Sequence, residues 1–222
     1  HALAFAHAIE RLTGCEPPPR ARYLRVVLLE LERLYNHLSD IGAIATDVAF
    51  TVPAAHAQLL RERLVSLQER LFGSRLLRGT VTGGGVKTHL STAGRHELAA
   101  HVGRLKADFE SLVTLLIDSG SFTDRIDGTG VLPMEAARDL GVTGLAARAS
   151  GLDEDLRRDH PHDAYDALTF EVPVEEGGDV RARLMVRARE VEQSLGILAQ
   201  ALGALPDSPL RTPPPAELPV FS

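Results

Sequence analysis

The sequence predicts a mainly α protein, an antiparallel helix bundle carrying a smaller α+β lobe. Three observations predict it. Several long segments repeat apolar residues at steps of three and four, the period of a helix that buries one face. Proline stands at the edges of these segments, and Gly14 and Gly73 close two of them. The region 119–178 then changes to Gly-, Asp- and Pro-rich sequence with short β-branched patches. The predicted division is a helical bundle core over 1–118, a loop-rich α+β insertion over 119–178, a last bundle helix over 179–206 and a Pro-rich tail over 207–222.

The first helix is expected from about Ala2 to Thr13, followed by a stiff extended connector at Pro17, Pro18 and Pro19. The longest pattern, Arg22 to Phe50, comes next and organises the chain. Leu24, Val27, Leu31, Leu34, Leu38, Ile41, Ala45 and Val48 form one apolar stripe along it. A second stripe holds Glu30, Arg33, His37, Asp40 and Asp47, with Val26, Leu29 and Ile44 among them. Ionisable groups on a helix that is apolar nearly all round must pair or line a cavity, because a lone buried charge is expensive. The spacings Glu30–Arg33 and Arg33–His37 suit pairing along the helix. From spacing alone, pairing that only fixes helix register is the favoured reading.

Pro53 sits in the first turn of a third helix, about Ala54 to Phe72. In LLRGTVTGGGV the glycines mark a short strand or loop held close to another backbone. They do not make a phosphate cradle, since the Lys-Ser/Thr of a P-loop is missing. A fourth helix is expected from Gly94 to Ile117. The insertion holds a short helix started by Pro133 and stopped by Gly141, strand-like patches such as LTFEVPV, and a charged stretch from Asp153 to Asp166 that reads as solvated surface. Asp179 caps the final helix, about Val180 to Leu205, and Pro206 ends it.

Composition narrows the function. The 222 residues are 44% hydrophobic with a net charge of -6, enough for a core and wrong in sign for a nucleic-acid surface. No apolar stretch approaches the roughly 18 to 20 residues of a membrane span. The single cysteine, Cys15, allows no internal disulfide and reads as inert, which makes a cytosolic setting the default. His96 and His101 do not share a helical face, and His160 and His162 flank a proline, so neither pair has the spacing of metal ligands. The start at His1 and the Pro-rich end TPPPAELPVFS suggest a segment of a longer protein.

RARYLRVVLLELERLYNHLSDIGAIATDVAF, LLRGTVTGGGV, GTGVLPMEAARDLGVTGLAARASG and YDALTFEVPVEEGGDVRARLMVRAREV occur in that order. Together they resemble the 49-kDa subunit of respiratory complex I and its relatives, the large subunits of membrane-bound [NiFe] hydrogenases of the formate hydrogenlyase type. The resemblance implies a hydrogenase-large-subunit-like scaffold around a redox pocket. It places His1 at the histidine that follows the first nickel-binding CxxC pair, and the second pair beyond Ser222. Glu30, Arg33, Asn36 and His37 match an E-x-x-R-x-x-N-H pattern at the heart of the bundle, and Arg148 lies in a shared RASG turn. Asp47, six residues before Pro53, matches an aspartate that in complex I pairs with a quinone-binding histidine.

The candidate redox-pocket and proton-path residues are therefore Asp47, His1, Glu30, Arg33, His37 and Arg148. The resemblance implies no cofactor within the segment itself, a nickel–iron centre or quinone in the full-length complex, and an iron–sulfur cluster in a partner subunit. NAD contact is not implied, because in complex I the nucleotide binds a different subunit. The implied location is the cytoplasmic face of the inner membrane, held peripherally by partner subunits. Leu77 stands where complex I carries a histidine near its terminal cluster, and this departure favours the hydrogenase branch. A non-catalytic docking scaffold for an iron–sulfur subunit is the reading of a different class.

Overall fold

A computed structural model describes residues 1–215; the remainder of the tail expected over 207–222 lies outside them. Four long helices make the bundle: α2 (Pro19–Asp47), α3 (Thr51–Phe72), α4 (Thr92–Ile117) and α9 (Val180–Gly203). They close a ring in the order α2, α3, α4, α9. Cross-helix contacts fix the directions. Asp40 meets Arg187 while Glu30 meets Ser194, and Arg63 meets Asp108 while Arg70 meets Glu97, so each of these pairs runs antiparallel.

The apolar stripe of α2 is the centre of the core. Leu24, Leu31, Leu34, Leu38 and Ala45 are fully buried, and Val48 is half-buried at the helix end. Gly42 lets α3 approach closely, since a Cβ there would lie 3.3 Å from the Ala57 Cβ and 2.8 Å from the Gln58 side chain. The helix starts earlier than its periodicity suggests. Pro19 occupies its first turn, where a missing N–H costs nothing, so only Pro17 and Pro18 remain as connector. It stops at Asp47, and Ala49 takes a left-handed φ of 60° that turns the chain into α3. Ser91, which accepts a hydrogen bond from the Gly94 N–H at 3.0 Å, likewise starts α4 two residues early. Asp179 caps α9 as expected, accepting from the Ala182 N–H at 2.7 Å.

The helix α1 (Ala2–Thr13) packs on a two-residue hairpin, β1 (Val81–Thr82) with β2 (Gly85–Val86). The hairpin gains a third strand from the tail: Val86 donates to Leu210 O at 3.0 Å and Thr212 to Gly84 O at 2.9 Å. A Cβ on Gly84 would lie 1.7 Å from the Thr212 carbonyl oxygen, and one on Gly85 2.2 Å from that of Leu210. The glycine run is thus a seat for another backbone.

The region 119–178 is more helical than its composition suggests. It contains α5 (Gly120–Ile126), α6 (Met134–Asp139), α7 (Gly144–Ala149), α8 (Leu156–Asp159) and a 3-10 turn at Tyr165–Ala167. The stretch LTFEVPV, read as strand-like, pairs with no strand among the described residues. Its Thr169 and Glu171 N–H groups donate instead to the side chains of Gln200 and Gln193 on α9, both at 2.9 Å. Glutamine amides supply what a neighbouring strand would, so extended backbone forms without a ladder.

Candidate functional site

The second stripe of α2 faces α9 and the region 143–165, and its charges are met mostly from there, beside the expected Glu30–Arg33 pair along the helix. Glu30 is fully buried. Its carboxylate accepts from Ser194 Oγ at 2.6 Å, from Arg157 Nη1 at 3.2 Å and from the Tyr165 hydroxyl. Arg33 Nε is 3.5 Å from the same carboxylate, but its Nη1 donates to Glu190 on α9 at 3.3 Å. The expected Arg33–His37 pairing is not formed. Both side chains turn to Glu190, with His37 Nε2 2.7 Å from Oε2. Arg148, near the end of α7, donates to the other oxygen through Nε at 2.8 Å and Nη2, and to the Glu154 carbonyl at 3.0 Å.

The charged stretch Asp153–Asp166, read as solvated surface, is inside at four of its polar positions. Asp155, Arg157, Asp163 and Tyr165 are each less than 7% exposed. Arg157 ties Asp155, at 2.7 Å, to Glu30 and lies 4.9 Å over the Phe170 ring. The result is a set of three buried carboxylates, Glu30, Asp155 and Glu190, against the buried guanidiniums of Arg148 and Arg157 and the half-buried one of Arg33.

The electrostatics follow from that balance. Burial alone would raise the Glu190 carboxyl, but the His37 hydrogen bond and the charges of Arg148 and Arg33 outweigh it and hold it at about 2. Burial pushes the His37 imidazole below its ordinary value, helped by the nearby Arg33 and Arg187 charges and opposed by Glu190. His37 is therefore neutral near pH 7 and donates its Nε2–H. Burial and the Glu30 charge push the Tyr165 hydroxyl well above its ordinary range, so it stays a donor.

A cleft of about 920 Å³ opens over this set, lined by His1, Arg33, Asn36, His37, Arg148 and the 154–165 segment among others. Of the candidate residues, His1, Arg33, His37 and Arg148 line the cleft, and Glu30 lies just beneath through Arg157 and Tyr165. Asp47 does not join them. It is exposed at the far end of α2, ten residues from His37, or about 15 Å along the helix. Asp40 lies between, bonded to Arg187 at 3.0 Å.

A second buried set lies beside the first. Arg25, fully buried, donates to Glu10 at 3.1 Å, to Asp163 at 3.2 Å and to the Thr82 carbonyl at 2.8 Å. Glu10 in turn accepts from the Gly84 N–H at 2.7 Å, and His7 sits 3.1 Å from Asp163. The segment 155–165 thus supplies members to both sets.

Sequence reasoning missed Glu190, Ser194, Asp155, Arg157 and Tyr165. A signal existed for two of them. Glu190 and Ser194 interrupt a stripe of α9 that is otherwise Val186, Ile197 and Ala201, all fully buried, the same anomaly that marked Glu30 and His37.

Among the described residues no group of three or more His, Cys, Asp or Glu side chains is arranged to hold a metal ion. The donor set does not fit the nickel–iron centre that the hydrogenase resemblance implies, since the one thiol, Cys15, is buried and donates to the Thr212 carbonyl at 3.1 Å. No helix among the described residues is long and apolar enough to cross a membrane.

Comparison with known proteins gives the context. The sequence pattern of the family described as respiratory-chain NADH dehydrogenase, 49 Kd subunit, matches residues 47–219. The chain is 39% identical to NADH-quinone oxidoreductase subunit 4 of Thermus thermophilus over 98% of its own length and 55% of the relative's. To an NADH-quinone oxidoreductase subunit of Rhizobium etli it is 35% identical over 94% and 52%. To the carbon monoxide-induced hydrogenase of Rhodospirillum rubrum it is 34% identical over 99% and 61%. The chain therefore spans about half the length of the curated relatives it matches.

Proposed function

The chain belongs to the family of the 49-kDa subunit of respiratory-chain NADH dehydrogenase, and on that premise we propose that it forms one wall of the redox pocket of a membrane-associated oxidoreductase and that His37 carries the proton accompanying electron transfer there. The carrying observation is the charge balance beneath the cleft. Three carboxylates and three guanidiniums cancel, and His37 is the member whose charge changes most readily around neutral pH. A negative charge arriving on a nearby redox group would raise the affinity of His37 for a proton, and Glu190, already in contact, would stabilise the imidazolium.

The redox group itself, nickel–iron or quinone, would be held mainly by segments outside this sequence, with an iron–sulfur cluster in a neighbouring subunit. It would supply the electron chemistry; this chain's residues orient the pocket wall and hold the proton. His1, Arg33 and Arg148 line the wall, Glu30 and Arg157 fix the floor, and Asp40 and Asp47 extend the polar seam of α2 toward solvent. The location that goes with this reading is peripheral, on the cytoplasmic side of a membrane-bound complex.

The exposed position of Asp47, apart from the cleft, favours a second reading, in which Asp47 belongs to a quinone pocket and the buried charges only fix helix register. Comparing His37→Gln with Asp47→Asn in the full-length complex separates the two. The relay reading expects His37→Gln to lower turnover and remove an ionisation from the pH profile at unchanged folded content. Normal turnover with a normal profile in His37→Gln would overturn it.

A further inference from the structure

Three side chains donate to Glu30 beneath the cleft, and together they fill it. The Tyr165 hydroxyl and Arg157 Nη1, at 3.2 Å, reach Oε1, while Ser194 Oγ, at 2.6 Å, and the same Nη1, at 3.4 Å, reach Oε2. A carboxylate offers about four lone-pair sites, so none is left over. Arg33 shows the consequence. Its Nε lies 3.5 Å from Oε2, yet it is buried with no hydrogen-bond partner among the described residues. Buried N–H groups are normally satisfied, so this one marks a donor kept from the acceptor beside it. Arg33 turns instead through Nη1 to Glu190, at 3.3 Å, the carboxylate that also holds His37.

Tyr165 is fixed in place. It is 2% exposed, and its ring meets those of His162 and Phe170 edge-on, at 5.1 and 6.0 Å between centroids. Two residues earlier, the Asp163 carboxylate accepts from Arg25 at 3.2 Å and anchors the turn. Burial and the Glu30 charge keep the Tyr165 hydroxyl protonated, so it remains a donor. The charged and titratable groups around His37 are Arg33 and Asp40 from α2, Arg187 and Glu190 from α9, Arg148 from α7 and His1 at the head of α1. Among the three guanidiniums, the Arg33 side chain is 26% exposed against 18% for Arg187 and 6% for Arg148, and it has a second carboxylate in reach. Arg33 is therefore the cation placed to change partners.

We propose that Tyr165 is a positioning residue for His37: by occupying Glu30 it keeps Arg33 on Glu190, and the guanidinium held there keeps His37 neutral until charge arrives in the cleft. The proposal deepens the reading of His37 as proton carrier and rests on it for its role in turnover. Without the Tyr165 hydroxyl, Arg157 can settle on Oε1, Oε2 opens to Arg33 Nε, and Nη1 leaves Glu190. His37 then loses a neighbouring cation and faces a freer carboxylate, and both changes favour the imidazolium.

The test is an NMR titration of the His37 imidazole in the full-length subunit, its signal assigned by its absence in His37→Gln. Tyr165→Phe keeps the packed ring and removes only the hydroxyl, and it is expected to raise the His37 pKa by about half a pH unit or more. In an Arg33→Gln background, with no guanidinium to displace, Tyr165→Phe is expected to add no further rise. Ser194→Ala, which frees Oε2 directly, is expected to raise the same pKa and supplies the measurement if Tyr165→Phe does not fold. An unchanged His37 pKa in the folded variants, or an equal rise in the Arg33→Gln background, overturns the proposal. Unchanged turnover and pH profile in His37→Gln would instead remove the proton-carrier reading without altering this titration, so the two fail separately.

Discussion

Nε2 of His37 on α2 donates to one oxygen of Glu190 on α9 at 2.7 Å, while Arg148 from α7 takes the other oxygen of the same carboxylate at 2.8 Å. Three segments distant in sequence thus meet on one buried group, which makes Glu190 the residue whose removal leaves the most behind. Glu190→Gln strands Arg148 and part of Arg33 without their counter-charge. We expect a loss of about 3 to 5 kcal/mol of unfolding free energy, read from the urea midpoint. A midpoint unchanged from the parent would refute the assignment.

The same carboxyl gives stability a direction in pH. Its folded value of about 2 lies below the ordinary 4.5, so its contribution is fully present above about pH 4.5 and is lost as pH falls toward 2. The size is on the order of 3 kcal/mol. His37 adds the same sign at higher pH, because a depressed imidazole makes the unfolded chain bind more protons below about 6.5. In His37→Gln the decline of stability between pH 6.5 and 5 should be shallower than in the parent, as measured by urea denaturation at each pH.

Asp47 and Glu30 should separate cleanly. Asp47 is exposed and makes no side-chain hydrogen bond or ion pair among the described residues, so Asp47→Asn should alter stability by less than about 0.5 kcal/mol. Glu30→Gln breaks contacts to Arg157, Tyr165 and Ser194 and should cost about 3 kcal/mol or more by thermal or chemical denaturation.

Two glycines with nearly the same φ offer a matched pair. Gly79 (φ +75°) has open space where a Cβ would go, and Gly84 (φ +77°) has the Thr212 carbonyl 1.7 Å away. Gly79→Ala should cost about 1 to 2 kcal/mol from backbone strain alone. Gly84→Ala should cost on the order of 4 kcal/mol or more and raise amide exchange at Thr212, because the tail strand cannot remain seated.

Much of this was legible in the sequence where one physical rule dominates. The four long helices announced themselves through periodicity because each buries a stripe in one core, and Glu30, Arg33 and His37 stood out as charges on a helix with no polar side to spare. The glycine run was read as close backbone approach, and Gly84 and Gly85 meet the tail in that way. What stayed hidden was partnership across distance. Periodicity places Glu30 and His37 on a face but cannot say that Ser194 and Glu190 lie opposite, since nothing local couples positions more than 150 residues apart. The stretch from Asp153 to Asp166 misled for a related reason: its charges resemble solvated ones until Glu30 and Arg25 are known to receive Arg157 and Asp163.

The seat that Gly84 and Gly85 provide for Leu210–Thr212 also sets an order of events during synthesis. The two strands are 128 residues apart. At ordinary elongation rates the hairpin leaves the ribosome roughly ten seconds before the strand that completes it. Until that strand is made the edge of β2 has no partner; in the finished fold Arg25 bonds the Thr82 and Gly85 carbonyls and Glu10 accepts from the Gly84 N–H.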